Sequence, residues 1–255
     1  MLQVAWLGHS TVVVDVAGRR LITDPLLRRH GGALRRRSTP PVRHQWQDVD
    51  AVLLSHLHHD HAELRSLRML GNAPVVTGPA NAAWLRRRGL QGVAPEGWRD
   101  LGGGVVVRLV EAVHHARPMP HRPNETHGHL VRAGDTVVWF AGDTELYDGM
   151  TELPGYADRD RVDLAVVPIG GWGPRLSPGH MGPEEAATAC AMTRSRWALP
   201  VHWGSLHPPL MGRLGGWMDR PLVHFEEALA RTAPRCRLVR AGPGERPVSV
   251  GRPDR

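Results

Sequence analysis

The sequence predicts a layered α/β protein with extensive sheet. Three observations predict it. Apolar runs with strand character come first and then alternate with helical segments. The chain has 255 residues, enough apolar sequence for a sizeable core, with no convincing linker and no short-period repeat. Histidines and aspartates stand just after several apolar runs, where layered α/β proteins place their functional edge.

The elements follow in order. Val12–Val16 and Arg20–Thr23 flank Ala17-Gly18-Arg19 and read as a β-hairpin. The polar stretch from Arg28 to Gln47 reads as an irregular loop or lid, long enough to suspect function. Ala51–Leu54 is a buried strand that runs into a His-rich segment. A helix is expected over Ala62–Leu70, stopped by Gly71, and a second over Pro79–Arg88, with Pro in its first turn and Gly89 past its end. Val75-Val76 between them is a short strand.

Strands are then expected over Val105–Val113, Thr136–Phe140, Leu164–Val167 and Ala198–Val201. Pro183 opens a helix with Glu184 and Glu185 in its first turn, as the helix dipole favours. Pro221–Arg231 is the last helix, with Asp219 as its expected cap. The domain so drawn covers residues 1–241, and 242–255 read as a polar, loosely ordered tail.

Composition narrows the function classes. The net charge is +7, but all 32 basic residues are arginine, spread from Arg19 to Arg255, with no lysine. That looks like a genome-wide composition bias, so no nucleic-acid partner is expected. Two cysteines, Cys190 and Cys236, exclude a disulfide framework and a Cys-rich zinc module. The N-terminus carries no signal-peptide pattern, and no apolar run approaches the roughly 20 residues of a membrane helix. A cytoplasmic protein without a membrane anchor is the expectation.

The chemistry centres on Ser55-His56-Leu57-His58-His59-Asp60-His61. In an extended segment His56 and His58 share one side; a turn then aims Asp60 and His61 from another direction. Imidazole and carboxylate suit zinc, iron or manganese. One ion cannot easily take all four groups from so short a turn, which points to two ions completed by distant ligands. His114, Asp143 and His202, each after an apolar run, are the candidates to complete them.

The segment resembles the HxHxDH motif of the metallo-β-lactamase superfamily. Glu111-Ala112-Val113-His114, Ala141-Gly142-Asp143-Thr144 and Val201-His202-Trp203-Gly204 resemble its remaining ligand motifs. Trp6-Leu7-Gly8-His9-Ser10, Thr23-Asp24-Pro25, Val167-Pro168-Ile169-Gly170 and His180–Ala186 extend the likeness over nearly the whole chain. They look like the branch of N-acyl-phosphatidylethanolamine phospholipase D and ascorbate-6-phosphate lactonase, and the stretch from Leu34-Arg35-Arg36-Arg37 to Asp50-Ala51-Val52-Leu53 looks closer to the phospholipase.

The resemblance implies a four-layer αβ/βα sandwich, two mixed β-sheets flanked by helices. It implies that His56, His58 and His114 hold one divalent ion, that Asp60, His61 and His202 hold a second, and that Asp143 bridges them. Zinc stands ahead of manganese or iron. The implied reaction is hydrolysis by a bridging water whose pKa the metals lower to about 7. A phosphodiester or phosphorylated small molecule ranks ahead of a lactone or amide. An iron oxidoreductase, a nuclease and a non-catalytic metal binder rank behind these.

Other residues carry finer expectations. Asp60 orients the nucleophile. His180 donates to the substrate or leaving group, against the reading of a solvent-facing helix-entry residue. Asp24 is either a carboxylate behind a ligand histidine or a turn residue before Pro25. His9 is expected near the site. Arg28, Arg29, Arg35, Arg36, Arg37 and Arg43 form the densest basic patch, either a recogniser of anionic substrate or a solvated loop. His115, His121, His127 and His129 read as plain loop histidines. Gly170-Gly171-Trp172 departs from the branch pattern and leaves substrate identity open.

Overall fold

The computed structural model describes residues 1–114, 121–209, 211–213 and 216–251. In its first half, β1 (Leu2–Gly8), β2 (Thr11–Val16) and β3 (Arg19–Thr23) form an antiparallel meander. A small hairpin, β4 (His30–Gly31) and β5 (Leu34–Arg36), and a short helix α1 (Arg43–Trp46) follow. Then come β6 (Ala51–Leu53), α2 (Leu64–Met69), β7 (Val75–Val76), α3 (Pro79–Arg86) and β8 (Gly92–Val93).

The second half runs β9 (Arg99–Asp100), β10 (Val105–Val110), β11 (Gly128–Ala133), β12 (Thr136–Phe140), α4 (Leu153–Tyr156) and β13 (Leu164–Pro168). It continues with α5 (Pro183–Met192), β14 (Trp197–Val201), β15 (Leu206–His207), α6 (Arg220–Thr232), β16 (Arg237–Leu238) and β17 (Val248–Val250).

Two seven-stranded sheets result, in the orders β17-β1-β2-β3-β6-β7-β8 and β16-β14-β13-β12-β11-β10-β9. Each is mixed, antiparallel at one end and parallel at the other. The third sheet, β15-β5-β4, is a small ribbon.

Period-two alternation sorts the apolar residues into layers. Val12, Val14 and Val16 of β2 face the core between the sheets, with Val107, Val138, Leu164 and Leu199 of the other sheet. Val13, one step out of phase, packs outward with Leu67 of α2 and Trp84 and Leu85 of α3. On the far side Trp139 and Val167 pack with Ala186 and Cys190 of α5 and Phe225 and Leu229 of α6. Helix, sheet, sheet, helix is the expected four-layer sandwich.

Several local expectations change. The helix expected from Ala62 starts at Leu64, because Ala62 N still bonds His58 O at 2.8 Å in the preceding turn. Glu63 caps it, accepting from the amides of Arg65 and Ser66. Asp219 makes no cap bond to α6; its carboxylate is taken by Arg37 at 2.6 Å. The strand expected to Val113 ends at Val110. The 28–47 stretch is part hairpin and part helix rather than wholly irregular. The tail is not loose throughout, since β17 pairs with β1 at the sheet edge. No described helix is long and apolar enough to cross a membrane.

Candidate metal centre

The carboxyl ends of the parallel strands meet at one edge, the usual place for a site in such sheets. Asp24 follows β3, His56 follows β6, Asp143 follows β12 and His202 follows β14. His9 comes from the β1–β2 turn and His114 from beyond β10. His9, Asp24 and His202 hold positive φ angles of 54°, 34° and 61°. Non-glycine residues in that region carry strain that the surroundings must impose.

The seven residues expected as ligands all meet there. His56, His58 and His114 form one group whose nitrogens lie within 4.8 Å of one another. Asp60, His61 and His202 form a second, which also includes His9. Asp143 lies between: its Oδ2 is 3.0 Å from His61 Nε2, 3.3 Å from His202 Nε2 and 3.9 Å from His56 Nε2. His114 Nε2 and His58 Nδ1 face each other at 3.4 Å.

Four of the rings, His56, His61, His114 and His202, are turned by a bond on Nδ1. His61 Nδ1 donates to Asp24 at 2.8 Å. His202 Nδ1 donates to the Gly170 carbonyl at 2.9 Å, and His114 Nδ1 to the Gly179 carbonyl at 2.7 Å. Asp24 also accepts from Ser55 Oγ at 2.7 Å, which leaves that oxygen to accept from His56 Nδ1 at 2.9 Å. With Nδ1 carrying the proton, each Nε2 presents a lone pair inward.

Those inward atoms test the fit of a metal. His56 Nε2, His61 Nε2, His202 Nε2 and Asp143 Oδ1 are buried without a hydrogen-bond partner among the described residues. Several such orphans at one point are costly and rare unless something binds them. The donor set of imidazoles and carboxylates fits divalent zinc, manganese or iron.

Charge agrees. Burial pushes the Asp143 carboxyl up, but His202, His61 and His180 outweigh it and hold it well below the usual carboxylate range. Burial would also raise Asp60, and His61, His202 and His9 reverse that. Burial alone pulls the His56 imidazole well down, and His61 adds to it. His61 goes the other way: Asp143, Asp60 and Asp24 overcome burial and raise it well above the ordinary value. A ring flanked by three carboxylates favours a cation at Nε2, a proton or a metal.

The structure also places the other candidate residues. Asp24 is no mere turn residue; it anchors His61 and Ser55. His9 Nε2 donates to Asp60 Oδ2 at 3.0 Å, and burial, with His202, lowers its pKa to about 3. Its backbone carbonyl also accepts the His202 amide at 3.1 Å. His180 does not face solvent: its Nε2 lies 3.3 Å from Asp143 Oδ2.

Of the basic patch, Arg36 is buried and donates to the carbonyls of Leu7 and Leu26, so it cannot meet a substrate. His121 and His127 lie outside the clusters. His129 is no loop residue; it sits buried on β11, bonded to the Val76 carbonyl at 3.0 Å. His115 falls outside the described residues.

Residues 19–203 match the model of the beta-lactamase superfamily domain. The chain belongs to that superfamily. A metal-dependent hydrolase of Symbiobacterium thermophilum is 28% identical over 222 residues, 86% of this chain and 91% of the relative. N-acyl-phosphatidylethanolamine-hydrolyzing phospholipase D 1 of Caenorhabditis elegans is 26% identical over 230 residues. That match covers 78% of this chain but only 63% of the worm protein's length. Among solved structures, a metallo hydrolase of Ignicoccus hospitalis superposes with a TM-score of 0.72 at 20% identity, covering 98% of this chain and 99% of the other. That likeness speaks for the superfamily fold alone.

Sequence reasoning missed the residues behind the ligands. Gly170 and Gly179 act through backbone carbonyls, which no side chain announces. Ser55 had a signal, its place between a buried strand and the ligand motif. Glu145 Oε1 accepts the Gly179 amide at 2.6 Å and so holds the carbonyl that orients His114.

Proposed function

We propose that this metal-dependent hydrolase of the beta-lactamase superfamily works through two divalent ions, most readily zinc, on a phosphodiester or phosphorylated small molecule. His56, His58 and His114 hold one ion; Asp60, His61 and His202 hold the other; Asp143 lies between and serves both. The observation that carries the reading is the set of unpartnered buried atoms, three imidazole nitrogens and a carboxylate oxygen, that converge in one place. When bound, the ions supply a nucleophile from water near neutral pH and a Lewis acid for the substrate oxygen.

The chain's own residues do the rest. His9 fixes Asp60 by donating to Oδ2, which keeps the other oxygen free to orient the attacking group. His180 is held through Nδ1 by the carbonyls of Ser177 and Pro178, at 3.1 and 3.2 Å, and presents Nε2 to the centre. From there it can hold a proton for the leaving oxygen. Asp24 and Ser55 keep His61 and His56 in the tautomer that faces inward. The substrate in this reading is small and anionic.

A parallel assay of metal-loaded protein tests the substrate. Bis(p-nitrophenyl) phosphate, a simple lactone and an N-acyl-phosphatidylethanolamine are offered separately. Diester cleavage is expected to exceed the others. Clear lactone turnover without diester cleavage would overturn the phosphodiester assignment and leave the metal centre standing.

A further inference from the structure

Five arginines from three segments converge beside the ligand turn. The tie that gathers them is the Leu27 amide, which donates to Ser66 Oγ of α2 at 2.9 Å. It brings Arg28 and Arg29 against Arg65 and Arg68, which stand three residues apart and share a face of that helix. Arg122 comes from the segment before β11. All five line a single cavity of about 500 Å³.

The charge of this cavity is unbalanced. Its one carboxylate, Glu63, is committed to capping α2, accepting from Ser66 N and Ser66 Oγ at 2.7 Å and Arg65 N at 3.2 Å. Among the described residues none of the five guanidiniums forms an ion pair, whereas Arg19, Arg20, Arg37 and Arg231 all do. Gathering like charges costs energy that an anion would offset.

Arg122 links the cavity to the centre. Its guanidinium donates to the carbonyls of Leu57 and Ala62 at 2.6 and 3.1 Å, which bracket His58 to His61. Its second terminal nitrogen donates to His59 Nδ1 at 3.0 Å. His59 belongs to neither ligand group, so its ring lines this cavity instead.

We propose that this cavity is an anion site, separate from the metal centre, that takes the phosphate group of a small molecule. Guanidiniums from three separate segments suit phosphate, which accepts paired N–H donors on several oxygens. The site does not depend on the hydrolase reading, since no metal ligand side chain contributes to it.

Calorimetric titration of metal-loaded protein with inorganic phosphate and with glycerol phosphate tests the site. The double variant R29E/R68E is titrated beside the wild type, with R29Q/R68Q as a milder partner. Both positions are exposed, so metal content and thermal midpoint should not change. Phosphate held at the metals is common to all three proteins. Binding weaker by about tenfold or more in R29E/R68E, and intermediate in R29Q/R68Q, is expected. Equal binding by all three proteins would overturn the site. Binding seen only with vesicles of phosphatidic acid in phosphatidylcholine would also overturn it, since the cavity would then serve a membrane surface.

Discussion

The carboxylate of Asp24 lies 2.8 Å from Nδ1 of His61 and, on the same oxygen, 2.7 Å from Ser55 Oγ. Ser55 in turn accepts from His56 at 2.9 Å. One buried carboxylate therefore sets rings in both ligand groups. Asp24→Asn should weaken metal binding roughly 10- to 100-fold, as loss of such partners generally does. Competition with a chromophoric chelator measures it; unchanged affinity would mean that His61 needs no anchor.

Glu145 acts at one remove, through Gly179 and then His114. Glu145→Ala should lower metal occupancy of the group containing His114 by about tenfold, and Glu145→Gln, which keeps an accepting oxygen, should restore most of it. Equal losses in the two variants, read by metal analysis after dialysis, would tie the effect to charge instead.

Arg36 is a structural residue inside a basic run. Its guanidinium satisfies the Leu7 and Leu26 carbonyls, and a Cβ on Gly8 would collide with it, so that position must stay glycine. Arg36→Met should cost about 2–4 kcal/mol by leaving buried carbonyls unpaired. Urea denaturation provides the value.

His129 gives a pH signature. Burial holds its folded-state pKa at about 4, against an ordinary 6.5. Below pH 6.5 the unfolded chain therefore binds a proton that the folded chain refuses, and stability is lost as pH falls from 6.5 towards 4 and levels off below it. The contribution is on the order of 3 kcal/mol. His129→Gln should flatten the stability profile in that window by about one proton, whatever its effect at neutral pH; an unchanged slope would show that His129 titrates normally.

The layers and the convergence of the candidate ligand residues were legible because both rest on position relative to apolar strands. Val12 to Val16 is apolar on both faces but for Asp15, as a strand sandwiched between two layers requires, and His56, Asp143 and His202 each follow the end of a strand. What was not legible depends on contacts distant in sequence. Strand β11 was missed because His129 and Arg132 interrupt its apolar pattern, although it pairs fully with β10 and β12. The carbonyl of Gly170 and the burial of Arg36 exist only once the chain has folded. Asp219 looked like a cap until Arg37, 182 residues away, claimed its carboxylate.

In the proposed function, two ions would be held at the candidate metal centre, with Asp143 placed to serve both. Elemental analysis of purified, dialysed protein tests it most directly, on the wild type and on Asp143→Ala side by side. About two divalent ions per chain are expected in the wild type, and the loss of at least one in the variant. Wild-type protein that holds no metal, even after reconstitution, would contradict it.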